Sequence, residues 1–310
     1  MLAGFCPVVE GVTLCRVSVL APSTAAREAV TLKPFFDEMA RLGWIEGLNI
    51  AYERSFANDQ EADLARLAVE LVARQPDLIF APPQVAAVAA RRATATIPIV
   101  FATGTDPVGA GLAASLAHPG GNASGMVSVI ETLAPKQLQL ARELLPAATR
   151  FGFVGSQMDP RFAIDSDALT RHLPRGATLR SRSANDMARL DLAVRELVHE
   201  RVEAIFTSTS IAFNGIDRLV ELTRPAKVSI IAHRGSMVDR GALMAYGATL
   251  DDQITRSARV VDKVLRGARI GDIPIEQPNR FEFVLHRGVA RAYGITIPQS
   301  MLLRADRVVE

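Results

Sequence analysis

The residues best suited to contact a ligand stand just after short apolar runs that are typical of β-strands. Most carry a hydroxyl or an amide group, so they can hydrogen-bond a polar small molecule without supplying a nucleophile or an acid. They are Ser23, Thr24, Gln84, Thr105, Asp106, Ser156, Ser208, Ser210, Asn214 and His233. In open α/β sheets, ligands bind beyond the carboxyl ends of the strands, where helix N-termini offer unpaired N–H groups. Helix capping is the alternative for each residue taken alone, but ligand binding better explains the whole set.

Asp106 illustrates both alternatives. It stands directly before Pro107, and proline favours the first position of a helix, so Asp106 is expected to cap a helix that begins there. Its carboxylate is also able to bind the ammonium group of a ligand. The sequence favours capping.

Sequence motifs of known catalytic and cofactor sites are absent from the chain. It has no G-x-G-x-x-G after its first strand, no phosphate-binding G-x-x-x-x-G-K-[ST], no H-E-x-x-H and no G-x-S-x-G. The two cysteines and five dispersed histidines do not suggest a metal site. We therefore expect a protein without a cofactor that is not an enzyme. An enzyme that uses His233 remains a weaker alternative.

The charge balance argues against an electrostatic partner. Lys and Arg number 35 and Asp and Glu number 33, which leaves a net charge of +2. A protein that binds nucleic acid through phosphate contacts carries a clear excess of basic residues. The sequence therefore indicates no nucleic-acid partner.

Short β-branched runs alternate with amphipathic helical stretches, which is the pattern of βα units and a parallel sheet. The predicted strands are 16–21, 49–55, 77–81, 97–102 and 125–130, followed by 150–156, 177–183, 203–208, 228–233, 243–247 and 281–285. Apolar stripes at helical spacing occur in 61–74, 187–198 and 254–265, where they are expected to face the core. The two series also resemble each other, because a predicted helix ends and a predicted strand begins in both 74–82 and 200–208.

These two similar series predict an α/β protein of two doubly wound, Rossmann-like lobes joined by a hinge that the chain crosses several times. We expect lobe 1 to contain residues 15–130 and 249–280, and lobe 2 to contain 131–248 and 281–310. Residues 1–14 carry no information about the fold, and they show no recognisable export signal.

Several segments together resemble one family. They are 40–50 (ARLGWIEGLNI), 96–101 (TIPIVF), 106–112 (DPVGAGL), 115–122 (SLAHPGGN), 135–138 (PKQL), 241–247 (GALMAYG), 274–278 (PIEQP) and 290–298 (ARAYGITIP). As a set they resemble the TrpX-like substrate-binding proteins of ABC transporters. Two segments depart from the family pattern, Pro82-Pro83-Gln84 and His233-Arg234. Both fall at the expected ligand site, so the ligand of the relatives is not carried over.

The resemblance implies a periplasmic-binding-protein type I fold whose two lobes close on a small polar organic ligand, either amino-acid-like or an aromatic acid. It also implies an ABC transporter permease as the partner and a periplasmic location. A monomer is the expected state, and a dimer remains open. The main alternative is a cytoplasmic ligand-sensing domain. The lack of a visible export signal favours this alternative, whereas the lack of a helix-turn-helix argues against DNA binding.

Overall fold

The computed structural model describes residues 8–9, 12–58, 60–128, 133–157, 159, 161–208 and 215–310. The chain forms two compact units. Unit 1 is Met1–Ser128 with Leu250–Pro278, and unit 2 is Val129–Thr249 with Asn279–Glu310. The backbone therefore passes from one unit to the other three times.

Unit 1 is built on a parallel sheet. Its strands are β1 Val8–Val9, β2 Val12–Thr13, β3 Cys15–Ala21, β4 Ile50–Phe56, β5 Leu78–Phe80, β6 Ile99–Gly104 and β7 Ala123–Val127. Its helices are α1 Ala25–Thr31, α2 Lys33–Arg41, α3 Leu64–Ala73, α4 Gln84–Ala93 and α10 Leu250–Leu265. The order in the sheet is β4-β3-β5-β6-β7, with every pair parallel, and β1 and β2 form a separate antiparallel pair.

The core of unit 1 lies on both faces of this sheet. Val17, Val19 and Leu20 of β3 are all fully buried, as expected where helices cover both faces of a parallel sheet. Phe35 of α2 stacks on Phe80 of β5 with ring centroids 4.0 Å apart. The predicted apolar stripe of α10 is also buried in this core.

Unit 2 contains a longer sheet. Its strands are β8 Arg150–Gly155, β9 Thr178–Ser183, β10 Ala204–Thr207, β11 Ser229–Ala232, β12 Met244–Ala248, β13 Phe281–His286 and β14 Arg307–Val309. Its helices are α5 Leu133–Leu144, α6 Arg161–His172, α7 Met187–His199, α8 Ile216–Thr223, α9 Gly235–Val238, α11 Arg287–Tyr293 and α12 Gln299–Arg304. The order is β14-β13-β12-β11-β10-β8-β9, and β12 pairs with β13 in antiparallel register.

The stripe of α7 is buried as predicted at Leu190, Val194 and Leu197. The same pattern predicts that Met187 faces this core, but Met187 is 45% exposed. It is the first residue of α7, and the buried part of the helix begins one turn later.

The prediction that a helix begins at Pro107 is wrong. Residues 107–111 form turns, in which the amide of Ala110 donates to the carbonyl of Asp106 at 3.0 Å. Gly111 has a φ of +71°, a left-handed conformation that ends the run of helical turns. Asp106 still caps this segment, because its Oδ1 accepts a hydrogen bond from the amide of Gly109 at 2.9 Å.

In the described part of the chain, no helix combines the length and apolar character needed to cross a bilayer.

Candidate functional site

The carboxyl ends of β3, β5, β6 and β7 lie at one edge of the sheet of unit 1, and polar side chains follow each of them. After β3, Ser23 is buried and its hydroxyl donates to the carboxylate of Glu28. Thr24 caps α1, with its hydroxyl oxygen 3.4 Å from the amide nitrogen of Arg27. Both hydroxyls therefore hold the β3–α1 loop in place.

Gln84, the first residue of α4, joins the loops after β5 and β6. Its Oε1 accepts hydrogen bonds from the amides of Thr105 at 2.8 Å and Asp106 at 2.9 Å. A parallel bridge between Pro83 and Thr103 holds the same loops together. The side-chain amide nitrogen of Gln84 has no hydrogen-bond partner among the described residues, so it remains able to donate to a ligand.

A second group of polar atoms lies where β7 ends and α10 begins. Gln253 is 1% exposed, and its Nε2 donates to the carbonyl of Val127 at 2.8 Å. Its Oε1 is buried without a partner among the described residues, and so is the hydroxyl of Ser128. The neighbouring Asp252 is ion-paired, with one carboxylate oxygen 3.7 Å from the guanidinium of Arg256. This edge therefore offers unused hydrogen-bonding atoms in Gln253 and Ser128.

The corresponding edge of unit 2 begins with Ser156, which follows β8. Its hydroxyl donates to Oδ1 of Asn185 at 2.8 Å, and Asn185 also accepts from Ser183 at 3.2 Å. These contacts link the ends of β8 and β9.

A group of buried polar residues lies at the ends of β10 and β11. Thr207, Ser208 and His233 are 4%, 3% and 5% exposed. The two strands pair with Phe206 opposite Ile231, so Thr207 and His233 lie at the ends of adjacent strands. Within the described residues, the hydroxyl of Thr207 and both ring nitrogens of His233 have no hydrogen-bond partner.

The surroundings of His233 keep its ring uncharged. Burial, together with the positive charge of Arg234, lowers the pKa of His233 to about 3. Burial also lowers the pKa of Arg234 to about 10, against the opposing effect of Glu282, so Arg234 remains a cation at neutral pH. A neutral imidazole offers one N–H donor and one acceptor.

The backbone around His233 is held by two further residues. Gln137 of α5 donates through Nε2 to the carbonyls of Ala232 at 3.3 Å and Tyr246 at 2.8 Å. Gly247 allows β12 to pass close by, since a Cβ at this position would lie 1.9 Å from the carbonyl oxygen of His233. Contacts from α5 and β12 therefore hold the backbone at His233.

Residues 19–309 match the family of ABC transporter substrate binding proteins. The chain belongs to this family. It is therefore a substrate-binding protein of an ABC transporter, as the sequence predicts. This receptor is 26% identical to a tyrosine-binding protein of Clostridioides difficile (strain R20291) over 262 residues, which cover 84% of the receptor and 75% of that protein.

Solved structures share its fold. A conserved domain protein from Vibrio cholerae has a TM-score of 0.86 at 26% identity, and the alignment covers 95% of the receptor and 99% of that chain. A domain from Streptococcus pneumoniae in complex with L-Trp has a TM-score of 0.87 at 24% identity. The alignment covers 96% of the receptor and 100% of that chain. With the two mostly parallel sheets, these likenesses confirm the predicted fold class.

The structure of the receptor brings some of the predicted ligand-binding residues together and leaves others apart. Gln84, Thr105 and Asp106 are brought together, and Ser208 and His233 lie at adjacent strand ends. Ser23, Thr24 and Ser156 make hydrogen bonds within their own loops or to the next one. Ser210 and Asn214 lie outside the described residues. A role in ligand binding stays a prediction for every member of the set.

Sequence reasoning missed Ser128, Thr207 and Gln253. Of these three, only Gln253 is recognisable in the sequence, because it is a polar residue on the apolar face of an amphipathic helix, next to Ile254. The described residues contain no group of His, Cys, Asp or Glu side chains that could hold a metal ion.

Proposed function

We propose that the receptor binds a small polar organic molecule, amino-acid-like or an aromatic acid, through polar groups at the carboxyl ends of its strands. The observation that carries this proposal is the set of buried, unused hydrogen-bonding atoms at the two edges. They belong to Ser128 and Gln253 in unit 1 and to Thr207 and His233 in unit 2. Each such atom costs about 1–3 kcal/mol when it lacks a partner. A ligand that supplies the partners recovers this free energy.

The two edges differ in chemistry, and an α-amino acid carries groups that suit each of them. The edge of unit 1 presents Oε1 of Gln253 and the hydroxyl of Ser128, which can accept hydrogen bonds from an ammonium group. The edge of unit 2 presents the hydroxyl of Thr207 and the imidazole of His233 beside the positive charge of Arg234, which suit a carboxylate or a hydroxyl group. The relative named as a tyrosine-binding protein supports the same class of ligand.

In the proposed cycle no bond is made or broken. The ligand shifts the receptor between conformations in proportion to its differential affinity for them, and the liganded form docks on the permease of the transporter. We place this cycle in the periplasm, in keeping with the family. An enzymatic role for His233 has no support in its surroundings, since no carboxylate orients the ring among the described residues.

Differential scanning fluorimetry with the L-amino acids and a set of aromatic carboxylates tests the proposal. A ligand present at 100 times its Kd stabilises the folded state by about 2.7 kcal/mol. For a protein of this size, that corresponds to a rise in Tm of several degrees. We expect a few chemically related compounds to produce such a shift, and calorimetry then gives their Kd. If no compound of either class shifts Tm at 5 mM, the ligand class is wrong.

A further inference from the structure

A pocket of about 400 Å³ opens at the amino end of the sheet of unit 2, at the edge opposite the strand ends described above. Arg150, Glu203 and Ser229 line it where β8, β10 and β11 begin. Its volume falls within the range of about 300–1,000 Å³ that is usual for small-molecule sites.

One wall of this pocket is apolar and carries a single polar group. Leu145, Val198 and Ile295 form the apolar part, and Tyr293 stands beside them. The phenol is partly buried, and burial raises its pKa while the charge of nearby Arg224 opposes the rise. Its hydroxyl donates to no atom of the described residues, so it remains available to a ligand.

The charges in the pocket do not cancel. The carboxylate of Glu203 is neutralised locally, because it accepts the amides of Thr149 and Arg150 at 2.9 Å each and lies 3.6 Å from the guanidinium of Arg150. Arg201 and Lys227 also line the pocket, and neither side chain forms an ion pair or hydrogen bond with another described residue. The pocket therefore has two unpaired cations beside an apolar wall.

Helix capping explains only part of this arrangement. Arg201 and Lys227 each follow the end of a helical segment and have left-handed φ values of 58° and 54°. Glycine or asparagine is the usual choice at such a position. Cations near helix C-termini interact favourably with the last carbonyl groups. That effect accounts for the positive charge, but it does not require both side chains to line one pocket that also has an apolar wall and an unused phenol.

We propose that this pocket binds a small aromatic carboxylate as a second site, separate from the strand ends that form the candidate receptor site. The carboxylate pairs with Arg201 and Lys227. The ring packs against Leu145, Val198 and Ile295. The proposal does not depend on the ligand class assigned to the receptor site.

The test is an NMR titration of the isotope-labelled full chain with benzoate and, in parallel, with neutral benzamide. Benzoate is expected to shift the backbone amide signals of Arg201, Lys227 and Ser229 in a saturable manner. The double variant Arg201→Asn/Lys227→Asn should raise the Kd for benzoate at least tenfold, since it removes both charge-assisted contacts. Asparagine tolerates the left-handed conformation, so these changes preserve the backbone.

The matched control is the double variant Lys263→Gln/Arg269→Gln, which removes two exposed cations from unit 1 and should leave the Kd unchanged. A second measurement uses only the native chain. Raising NaCl from 20 to 500 mM should weaken the binding of benzoate but not of benzamide, because salt screens the ionic contacts. The proposal is overturned if benzamide binds as tightly as benzoate, if benzoate shifts only amides at the carboxyl ends of the strands, or if neither the double variant nor salt changes the Kd.

Discussion

Replacing His233 with leucine should stabilise the free receptor and weaken its ligand binding. Leucine is of similar size and removes two buried ring nitrogens that have no partner among the described residues. Since each such atom costs about 1–3 kcal/mol, the two nitrogens together cost about 2–6 kcal/mol, and we expect the free energy of unfolding of the ligand-free protein to rise by at least about 2 kcal/mol. The Kd for the ligand found by screening should rise at least tenfold, which corresponds to about 1.4 kcal/mol.

Urea denaturation of the ligand-free protein measures the first effect, and calorimetry measures the second. The control is His118→Leu, which removes an exposed histidine outside both strand edges and should change stability by less than about 0.5 kcal/mol. His233→Gln retains a donor and an acceptor and should preserve more of the affinity than leucine does. A loss of more than about 1 kcal/mol of stability in His233→Leu would refute the reasoning, because it would mean that the ring has partners in the free state.

Two further predictions concern stability. Gly247→Ala places a Cβ 1.9 Å from the carbonyl oxygen of His233, so the strand must shift. We expect the free energy of unfolding, measured by urea denaturation, to fall by about 1–3 kcal/mol. An unchanged urea midpoint would contradict the close approach. Hydrogen bonds from Arg41 and Arg259, opposed by burial, lower the pKa of Glu38 from 4.5 to about 2. Because the folded-state pKa is the lower one, this carboxylate stabilises the fold above about pH 5 and the contribution is lost as the pH falls towards 2. The Tm difference between the native chain and Glu38→Gln should therefore shrink over that interval, and a constant difference would be inconsistent with these ion pairs.

Much of the fold was predictable because buried strands and helix faces appear in the sequence as apolar runs and stripes. All eleven predicted strands are present, since each central strand is a short β-branched or aromatic run, as in Leu78–Phe80 and Ala204–Thr207. The strand Arg307–Val309 was missed because it is short, lies at the edge of its sheet and is only partly buried. The turns at 107–111 were predicted as a helix because the capping pattern of Asp106 and Pro107 is local, whereas the glycines that follow prevent its continuation.

The candidate site was less predictable, because the decisive property is the absence of a hydrogen-bond partner. Sequence reasoning chose polar residues that follow strands and so found His233, but Thr207 is the last residue of its strand and was passed over. Ser23 and Ser156 were chosen by the same rule, yet their hydroxyls already have partners. Which polar atoms are satisfied depends on contacts between loops and helices that are distant in sequence, as with Gln253 and Val127.

A crystal structure of the receptor with the ligand found by screening tests the central claim most directly. We expect polar ligand atoms within hydrogen-bonding distance of at least one of four groups: the Thr207 hydroxyl or the His233 ring in unit 2, and Oε1 of Gln253 or the Ser128 hydroxyl in unit 1. A ligand seated elsewhere, with ordered water bonded to these four groups in its presence, would contradict it.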